Sequence, residues 1–382
     1  MDVRIDQLMR TGAAAPGIIT LGGGLPAPEL FPRRALMASF QRVMMDPSGA
    51  ALQYGWPEGS EGLRGWIAER LRRRGADVSA SDVIITSGAQ QALAVASQVL
   101  FQRGDRVGCE PESYPGALDL FGTRGVLPVV GHDDVRALYV MPAVSNPHGR
   151  AMTTTDRRRW LDHAHAAQLP LLEDDAYAEL RFDGPPHRPL LADARHLVWH
   201  IGTLSKTLCP GLRVGWLVAP PVMYRRALEA KQALDLQANS LALALLEDFL
   251  GRHDYDALVA RARRFYHRRA LHLAATLSRR LPSFRFTAPE GGFTLWAETD
   301  CDGDDRDLLE FALQHGVSFD PGRSFRVDLR SSRIALRLSF ATESSARQDE
   351  GVARLARAWD MWRGRTPRVQ NDDAAARTPV VA

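Results

Sequence analysis

Lysine is almost absent from this chain of 382 residues. The sequence holds 48 lysine and arginine residues, and only two of them, Lys206 and Lys231, are lysines. We interpret this replacement of lysine by arginine as a compositional bias rather than a function. Because the bias is so strong, we ask why a lysine is kept at position 206.

Cysteine is scarce, and long apolar runs are missing. Cys109, Cys209 and Cys301 are too far apart for a metal-binding spacing or a disulfide framework, so we expect reduced thiols, no metal site and a cytoplasmic protein. The N-terminal stretch MDVRIDQLMRTG lacks the apolar core of a signal peptide, and no run reaches about 18 apolar residues. The net charge of +3 does not suggest nucleic acid or an anionic membrane as a partner.

Short apolar strands alternate with helical stretches through the first two thirds of the chain. Strand candidates are VIITSG, DRVGCE, GVLPVVG, ALYVMP, LPLLEDDAY and HLVWHIGTLSK. This alternation predicts βαβ units and a mostly parallel sheet in an α/β fold. The chain length predicts more than one domain. We expect an N-terminal arm that contributes to a small domain, a large domain, the small C-terminal domain and a disordered tail, over residues 1–34, 35–250, 251–365 and 366–382.

The polar motifs follow the predicted strands. They are SGAQQ, EPESYP, SNPHG, EDDAY and GTLSK. In open parallel sheets, ligands bind beyond the carboxyl ends of the strands, so these motifs are expected to share one site.

Lys206 lies in a turn of small polar residues just after a predicted strand. Its amine is able to form a Schiff base when nearby positive charge or desolvation lowers its pKa. Arg213, seven positions later, is able to supply that charge and to hold a phosphate with its planar guanidinium. An ordinary surface lysine in a loop explains this stretch equally well.

The combined motifs resemble the class I/II aminotransferases, which are fold-type I enzymes that use pyridoxal 5′-phosphate (PLP). The resemblance rests on segments that occur in family order over about residues 17–360: GGGLPAPELFP, LQYGWPEGSEGLR, TSGAQQAL, EPESYPG, NPHG, EDDAYAELRF and GTLSKTLCPGLRVGW. It is closest to the 2-aminoadipate/kynurenine aminotransferase branch. The aminotransferase-like domains of GntR-type regulators are also similar, but their DNA-binding domain has no counterpart here. The family fold implies a large domain with a seven-stranded sheet between helices, and a smaller α+β domain.

The resemblance assigns five residues to the PLP ring. Lys206 would hold PLP as the internal aldimine and later move the proton, and Asp174 would pair with the pyridine nitrogen. Tyr177 and Asn146 would contact the ring oxygen, and Tyr114 would stack on the ring. Taken singly, the aspartate is as well explained as a helix cap, the tyrosines as core residues and Asn-Pro as a turn.

The resemblance also assigns residues to the phosphate and to the substrate. Tyr54 would reach the phosphate of the neighbouring subunit, which implies a homodimer with composite sites. Arg337 would bind the substrate α-carboxylate, and Gly24 and Asn146 would lie beside it. The phosphate would be held within one chain by Gly88, Ala89, Gln90, Thr203, Ser205 and Arg213.

Three features depart from the family pattern. The span from Tyr114 to Asn146 is 32 residues, markedly shorter than usual, so a strand–helix excursion is expected to be trimmed without loss of the fold. Ala89 stands where many relatives have serine, which removes one phosphate hydroxyl. Either Arg4 or Asp6 occupies a position that reads the substrate side chain, and an aspartate there would favour a cationic substrate.

The resemblance implies an aminotransferase that moves an amino group between an L-amino acid and a 2-oxo acid. Two alternatives stay open on the same residues. One is a different PLP reaction, such as elimination, cyclisation, decarboxylation or oxidation. The other is a PLP-binding sensor without turnover.

Overall fold

The computed structural model of the protein describes residues 7–8 and 15–365. Arg4, Asp6 and the tail from residue 366 lie outside the described residues, and what was predicted for them stays a prediction. In the described part of the chain, no helix is long and apolar enough to cross a membrane.

A seven-stranded sheet forms the centre of the fold. Its strands are β2 (Val83–Thr86), β3 (Arg106–Cys109), β4 (Leu127–Val130), β5 (Ala137–Val140), β6 (Leu171–Asp174), β7 (Val198–Thr203) and β8 (Gly215–Val218). They lie in the order β2-β8-β7-β6-β5-β3-β4. Only β8 runs against the others, antiparallel to both β2 and β7. The predicted mostly parallel α/β sheet is confirmed, and β8 is an addition that the strand pattern did not predict.

Helices cover both faces of this sheet. They are α1 (Arg33–Met45), α2 (Glu61–Arg73), α3 (Ala89–Leu100), α4 (Pro115–Thr123), α5 (Thr154–Ala167), α6 (Tyr224–Asp235) and α7 (Ser240–Arg252). Along β5, Tyr139 packs into one hydrophobic cluster while Leu138 and Val140 pack into the other. Because successive strand residues face opposite ways, a strand buried on both faces reads as a continuous apolar run.

A second, smaller part of the chain follows the helix α8 (Tyr255–Arg280). It contains an antiparallel sheet of β12 (Asp320–Pro321), β13 (Arg333–Ser339), β10 (Thr294–Asp302) and β9 (Arg285–Phe286), in that order. Two helices, α9 (Asp305–Gln314) and α10 (Ser345–Arg363), accompany it. Near the N-terminus, β1 (Ile19–Thr20) pairs with β11 (Val317–Ser318), so the chain crosses to this part before it enters the large sheet.

The trimmed span between Tyr114 and Asn146 still contains α4, β4 and β5. β4 is the edge strand of the large sheet, and its residues Leu127 and Val130 are exposed. The expectation that the fold survives the trimming is therefore confirmed.

Candidate active site at the carboxyl edge of the sheet

Lys206 lies three residues beyond the end of β7 and is half-buried. Its Nζ donates to the carbonyl oxygen of Gly24 at 3.4 Å. The amine also lies 5.4 Å from the ring centre of Tyr177 and 5.9 Å from that of Phe293. The amine is therefore held between the N-terminal segment and two aromatic rings, in surroundings poorer in water than an open loop.

Asp174 is the last residue of β6, the strand beside β7, and only 5% of its surface is exposed. Burial raises the pKa of this carboxyl to about 6, against the opposing effect of its hydrogen bonds. Tyr139 donates its hydroxyl to Oδ2 at 2.9 Å, and the Ala176 N–H donates to Oδ1 at 3.2 Å. A buried carboxylate beside so few donors favours a cationic partner, such as a protonated pyridine nitrogen.

The N-terminus of α3 forms the anion-binding part of the site. Gly88 precedes the helix with φ of 86°, and a Cβ added there would lie 2.5 Å from Arg213 Nη2. The N–H groups of Ala89 and Gln90 have no acceptor in the part of the chain that the structure describes. Free N–H groups at a helix start, next to a guanidinium, are the arrangement that binds phosphate.

Glycine at position 215 allows β8 to approach this helix start. A Cβ there would lie 2.6 Å from the carbonyl carbon of Gly88 and 2.7 Å from the nitrogen of Ala89. The antiparallel strand that the sequence pattern did not reveal therefore packs directly against the phosphate-binding turn.

The side chains of Thr203, Ser205 and Gln90 make protein contacts. The Thr203 hydroxyl bonds the Val214 carbonyl at 2.8 Å and lies 3.0 Å from Ser205 Oγ, while Gln90 Nε2 donates to the Gly116 carbonyl at 2.7 Å. These bonds stabilise the turns around the anion site. That Thr203 and Ser205 donate to a phosphate stays a prediction.

Tyr114 and Tyr177 both belong to the site. Tyr114 directly precedes α4, whose residue Gly116 accepts from Gln90 at the start of α3. Burial raises the pKa of Tyr114 to about 12, and the negative charge of Asp174 adds to this effect. Tyr177 is buried and meets the ring of Phe293 edge-on, 5.4 Å between ring centres. Tyr177 thus lies next to the amine, and Tyr114 precedes the helix that contacts the start of α3.

Arg337, on β13 of the smaller sheet, also contributes its side chain to the site. Its Nη1 donates to Asn146 Oδ1 at 2.9 Å, and its guanidinium lies flat against Gly24, where an added Cβ would be 3.3 Å from Nη1. Arg337 therefore contacts both of the other predicted substrate residues.

Asp320 is a site residue that the sequence reasoning missed. Its Oδ2 accepts from Arg337 Nε at 2.8 Å and from Nη2 at 2.5 Å, and both its oxygens accept from the Gly23 N–H. The aspartate thus neutralises one edge of the predicted carboxylate clamp. An acid inside the apolar run VSFDPG was the signal that could have identified it.

Tyr54 lies away from this cluster in a single chain. It is 79% exposed, and Trp56 beside it is 77% exposed. This exposure agrees with a side chain that acts on a second subunit.

The residues fit PLP. The site offers an amine for the aldehyde, a buried carboxylate for the ring nitrogen, and free N–H groups with an arginine for the phosphate. Among the described residues, no group of three or more His, Cys, Asp or Glu side chains is arranged to hold a metal ion.

Comparisons with known proteins agree with this geometry. The family model described as aminotransferase class I and II matches residues 27–355. The 2-aminoadipate transaminase of Thermus thermophilus is 34% identical over 90% of this chain and 90% of its own length.

Two solved structures are similar to this chain in their three-dimensional fold. An α-aminoadipate aminotransferase of Thermus thermophilus, complexed with N-(5′-phosphopyridoxyl)-L-leucine, has a TM-score of 0.84 and 33% identity, over 94% of this chain and 96% of that one. A kynurenine aminotransferase of Pyrococcus horikoshii has a TM-score of 0.87 and 29% identity, over 95% of both chains.

We predict that the buried carboxyl of Asp174 costs stability above pH 4. Because its pKa of about 6 exceeds the ordinary 3.8, the folded cofactor-free protein keeps a proton between these values that the unfolded chain loses. Wild type should therefore lose up to about 3 kcal/mol relative to Asp174→Asn as pH rises from 4 to 7. Urea unfolding of both cofactor-free proteins across this range measures the difference. Parallel stability curves would contradict the prediction.

Proposed function

Since this chain belongs to the class I and II aminotransferase family and is a PLP-dependent aminotransferase, we propose that Lys206 and Asp174 are its catalytic residues. One observation carries the proposal. Lys206 follows β7, and the buried Asp174 is the last residue of the adjacent strand β6. The reaction moves an amino group between an L-amino acid and a 2-oxo acid.

PLP, when bound, supplies an aldehyde that condenses with amines and a ring that draws electrons from the substrate α-carbon. Asp174 would hold a negative charge at the ring nitrogen, since a cation there compensates its burial. Lys206 Nζ, oriented by the Gly24 carbonyl, would accept the proton of the α-carbon and later release it. Tyr114, Asn146 and Tyr177 would surround the ring.

The phosphate would be bound by the start of α3. The N–H groups of Ala89 and Gln90 and the guanidinium of Arg213 are the donors, and Gly88 leaves the space. Because backbone donors and a charge remain, the alanine at position 89 is compatible with binding. Thr203 and Ser205 would complete the phosphate site.

The substrate α-carboxylate would bind Arg337, beside Asn146 and Gly24. Two of the nitrogens of Arg337 already bond Asp320, so the clamp carries less net positive charge than a lone arginine. Its affinity for a carboxylate depends on shape and hydrogen bonding more than on long-range attraction.

We further propose a homodimer in which Tyr54 acts on the neighbouring subunit. Exposed apolar side chains lie on α1, around Tyr54 and at the end of α6, and we propose that together they form the subunit surface. Beside it lies a cleft of about 620 Å³, lined in part by Trp56 and Gln237. The exposed side chains of this surface are Met37, Phe40, Met44, Met45, Leu52, Tyr54, Trp56, Leu234 and Leu236.

We also propose the predicted domain division and a cytoplasmic location for the protein. The predicted boundary after residue 250 falls in the last turn of α7, shortly before α8 begins at Tyr255, and β1 joins the smaller part as an N-terminal contribution would. Both observations support the division.

The first experiment is an absorption spectrum of the purified protein with a panel of amino acids. We expect a visible band from lysine-bound cofactor, which some amino acid converts to the near-ultraviolet band of pyridoxamine phosphate. Lys206→Ala should lose both the lysine-bound band and turnover. Bleaching without pyridoxamine phosphate would indicate another PLP reaction, and a bound cofactor that no amino acid changes would indicate a sensor.

Arg337→Gln tests the carboxylate clamp. We expect KM for the amino acid to rise about 100-fold, equivalent to about 2.7 kcal/mol, because a charge-assisted pair is lost. The visible cofactor band should be unchanged. Arg323→Gln is the matched control, since this half-buried arginine pairs with Asp304 in the same part of the chain. An unaltered KM in Arg337→Gln would remove Arg337 from the substrate site.

Mixed dimers test the role of Tyr54. Lys206→Ala and Tyr54→Ala should each have low activity alone. In a mixed dimer with composite sites, one site carries both defects and the other carries neither, so activity should return on subunit exchange. The assay is turnover of a denatured and refolded mixture against each variant treated alone. No recovery, in a mixture shown to contain mixed dimers, would place Tyr54 at its own subunit's site or at none.

A further inference from the structure

The second lysine, Lys231, has no part in the proposed site. It lies on α6, is completely buried, and is one of only two lysines beside 46 arginines. A buried position that keeps lysine in such a chain requires a compact point charge in place of a wide planar guanidinium.

Lys231 forms an ion pair with Asp235, one helical turn along the same helix. The Nζ atom lies 3.0 Å from Asp235 Oδ1. Burial lowers the pKa of Lys231, and the bond and charge of Asp235 oppose this effect. Because the amine is desolvated, its charge is compensated mainly by this one carboxylate.

The other oxygen of Asp235 contacts residues of the phosphate-binding turn. Oδ2 accepts from Gln91 Nε2 at 2.8 Å and lies 3.5 Å from the Ser87 hydroxyl. Gln91 Oε1 in turn accepts from the Ser87 N–H at 2.6 Å. The Ser87 carbonyl then accepts from Arg213 Nη2 at 3.2 Å. One continuous chain of contacts therefore joins Lys231 to the arginine proposed to bind the phosphate.

The same helix end also contacts the loop of Tyr54. Just beyond α6, Leu236 has φ of 60°, a value that a leucine seldom adopts. The next residue, Gln237, accepts the Gly55 N–H with its side-chain oxygen and donates to Ser240 Oγ at 2.8 Å. The end of α6 thus holds the residue beside Tyr54 as well as the turn at Ser87.

We propose that Lys231 is a positioning residue for phosphate binding. By fixing Asp235, it would hold Gln91, Ser87 and Arg213 in the arrangement that takes the phosphate monoester of the cofactor. It touches neither the cofactor nor the substrate. The inference rests on the proposed function, because it assumes that α3 begins at the phosphate site.

The test compares two ligands of cofactor-free protein: PLP, and pyridoxal, which lacks the phosphate. Lys231→Met leaves Asp235 without its cation, so the carboxylate is expected to turn toward water and release Gln91. We expect the Kd of PLP, measured from the absorbance of lysine-bound ligand, to rise at least about tenfold. The Kd of pyridoxal should change by less than about twofold.

Two further variants distinguish the proposed positioning role from a simple folding defect. Lys231→Met with Asp235→Asn removes both charges and keeps an acceptor for Gln91, so the preference for PLP over pyridoxal should largely return. Gln91→Leu breaks the contact to Ser87 without leaving a buried charge unpaired, and should weaken PLP binding selectively. The control is Arg225→Met, which breaks the exposed Arg225–Glu229 pair on the same helix and should leave both ligands unaffected.

The inference is overturned if Lys231→Met and Gln91→Leu bind PLP as wild type does, or if they lose PLP and pyridoxal in equal measure. An equal loss in Arg225→Met would also overturn it, since any weakening of α6 would then suffice. Wild-type protein that binds neither ligand would instead reject the proposed cofactor site.

Discussion

The desolvation of the Asp174 carboxyl is the constraint on which the rest of the site depends. A charge at the end of a buried strand is costly, and neither the Tyr139 hydroxyl nor the Ala176 N–H carries a positive charge to offset it. In our proposal the amine of Lys206 takes part in the reaction and is not a permanent partner of this carboxylate. The cost of burying the ionised Asp174 carboxyl is therefore offset only when a cation lies next to it. A protonated ring nitrogen is such a cation, so folding and cofactor binding favour the same arrangement.

The neighbours of Asp174 show how the fold keeps this one acid distinct. Glu173 and Asp175 are also buried, but strand alternation directs them to the opposite face of the sheet. There His200 Nδ1 lies 2.9 Å from Glu173, and Arg74 Nη1 lies 2.6 Å from Asp175. Burial opposes ionisation of Glu173, yet the bond and charge of His200 and the N–H of Leu190 bring its pKa below the ordinary value. Asp175 keeps a raised pKa because of its burial, so the acids differ in their partners: Glu173 and Asp175 lie beside basic side chains on one face, whereas Asp174 accepts only from neutral donors on the other.

The sequence allowed the strands and their polar ends to be predicted, because each is a local pattern, whereas the role of Lys206 was predicted from the family resemblance. Periodicity located β2 to β7, and the motifs after them did converge in the structure. β8 was missed because VGWLV is short and directly follows the lysine turn. Asp320 and the Lys231–Asp235–Gln91 contacts were missed for another reason. The Asp320–Arg337 and Asp235–Gln91 contacts join residues from different elements, and no spacing along the chain records them. The Lys231–Asp235 pair has the i,i+4 spacing of one helix, but that spacing alone does not reveal its burial or its link to Gln91.

The positions of the two lysines in this arginine-rich chain have a physical explanation. An arginine suits positions where a planar fork spreads its bonds, as Arg337 does between Asp320 and Asn146. A Schiff base needs an amine that loses its proton, which arginine does not offer at ordinary pH. At position 231 the need is for a small charge within a fully buried helix face, where a guanidinium would leave several N–H groups without acceptors. In our interpretation, arginine is unable to replace either lysine, because position 206 needs a reactive amine and position 231 needs a compact buried charge. Both lysines would then serve the same bound cofactor.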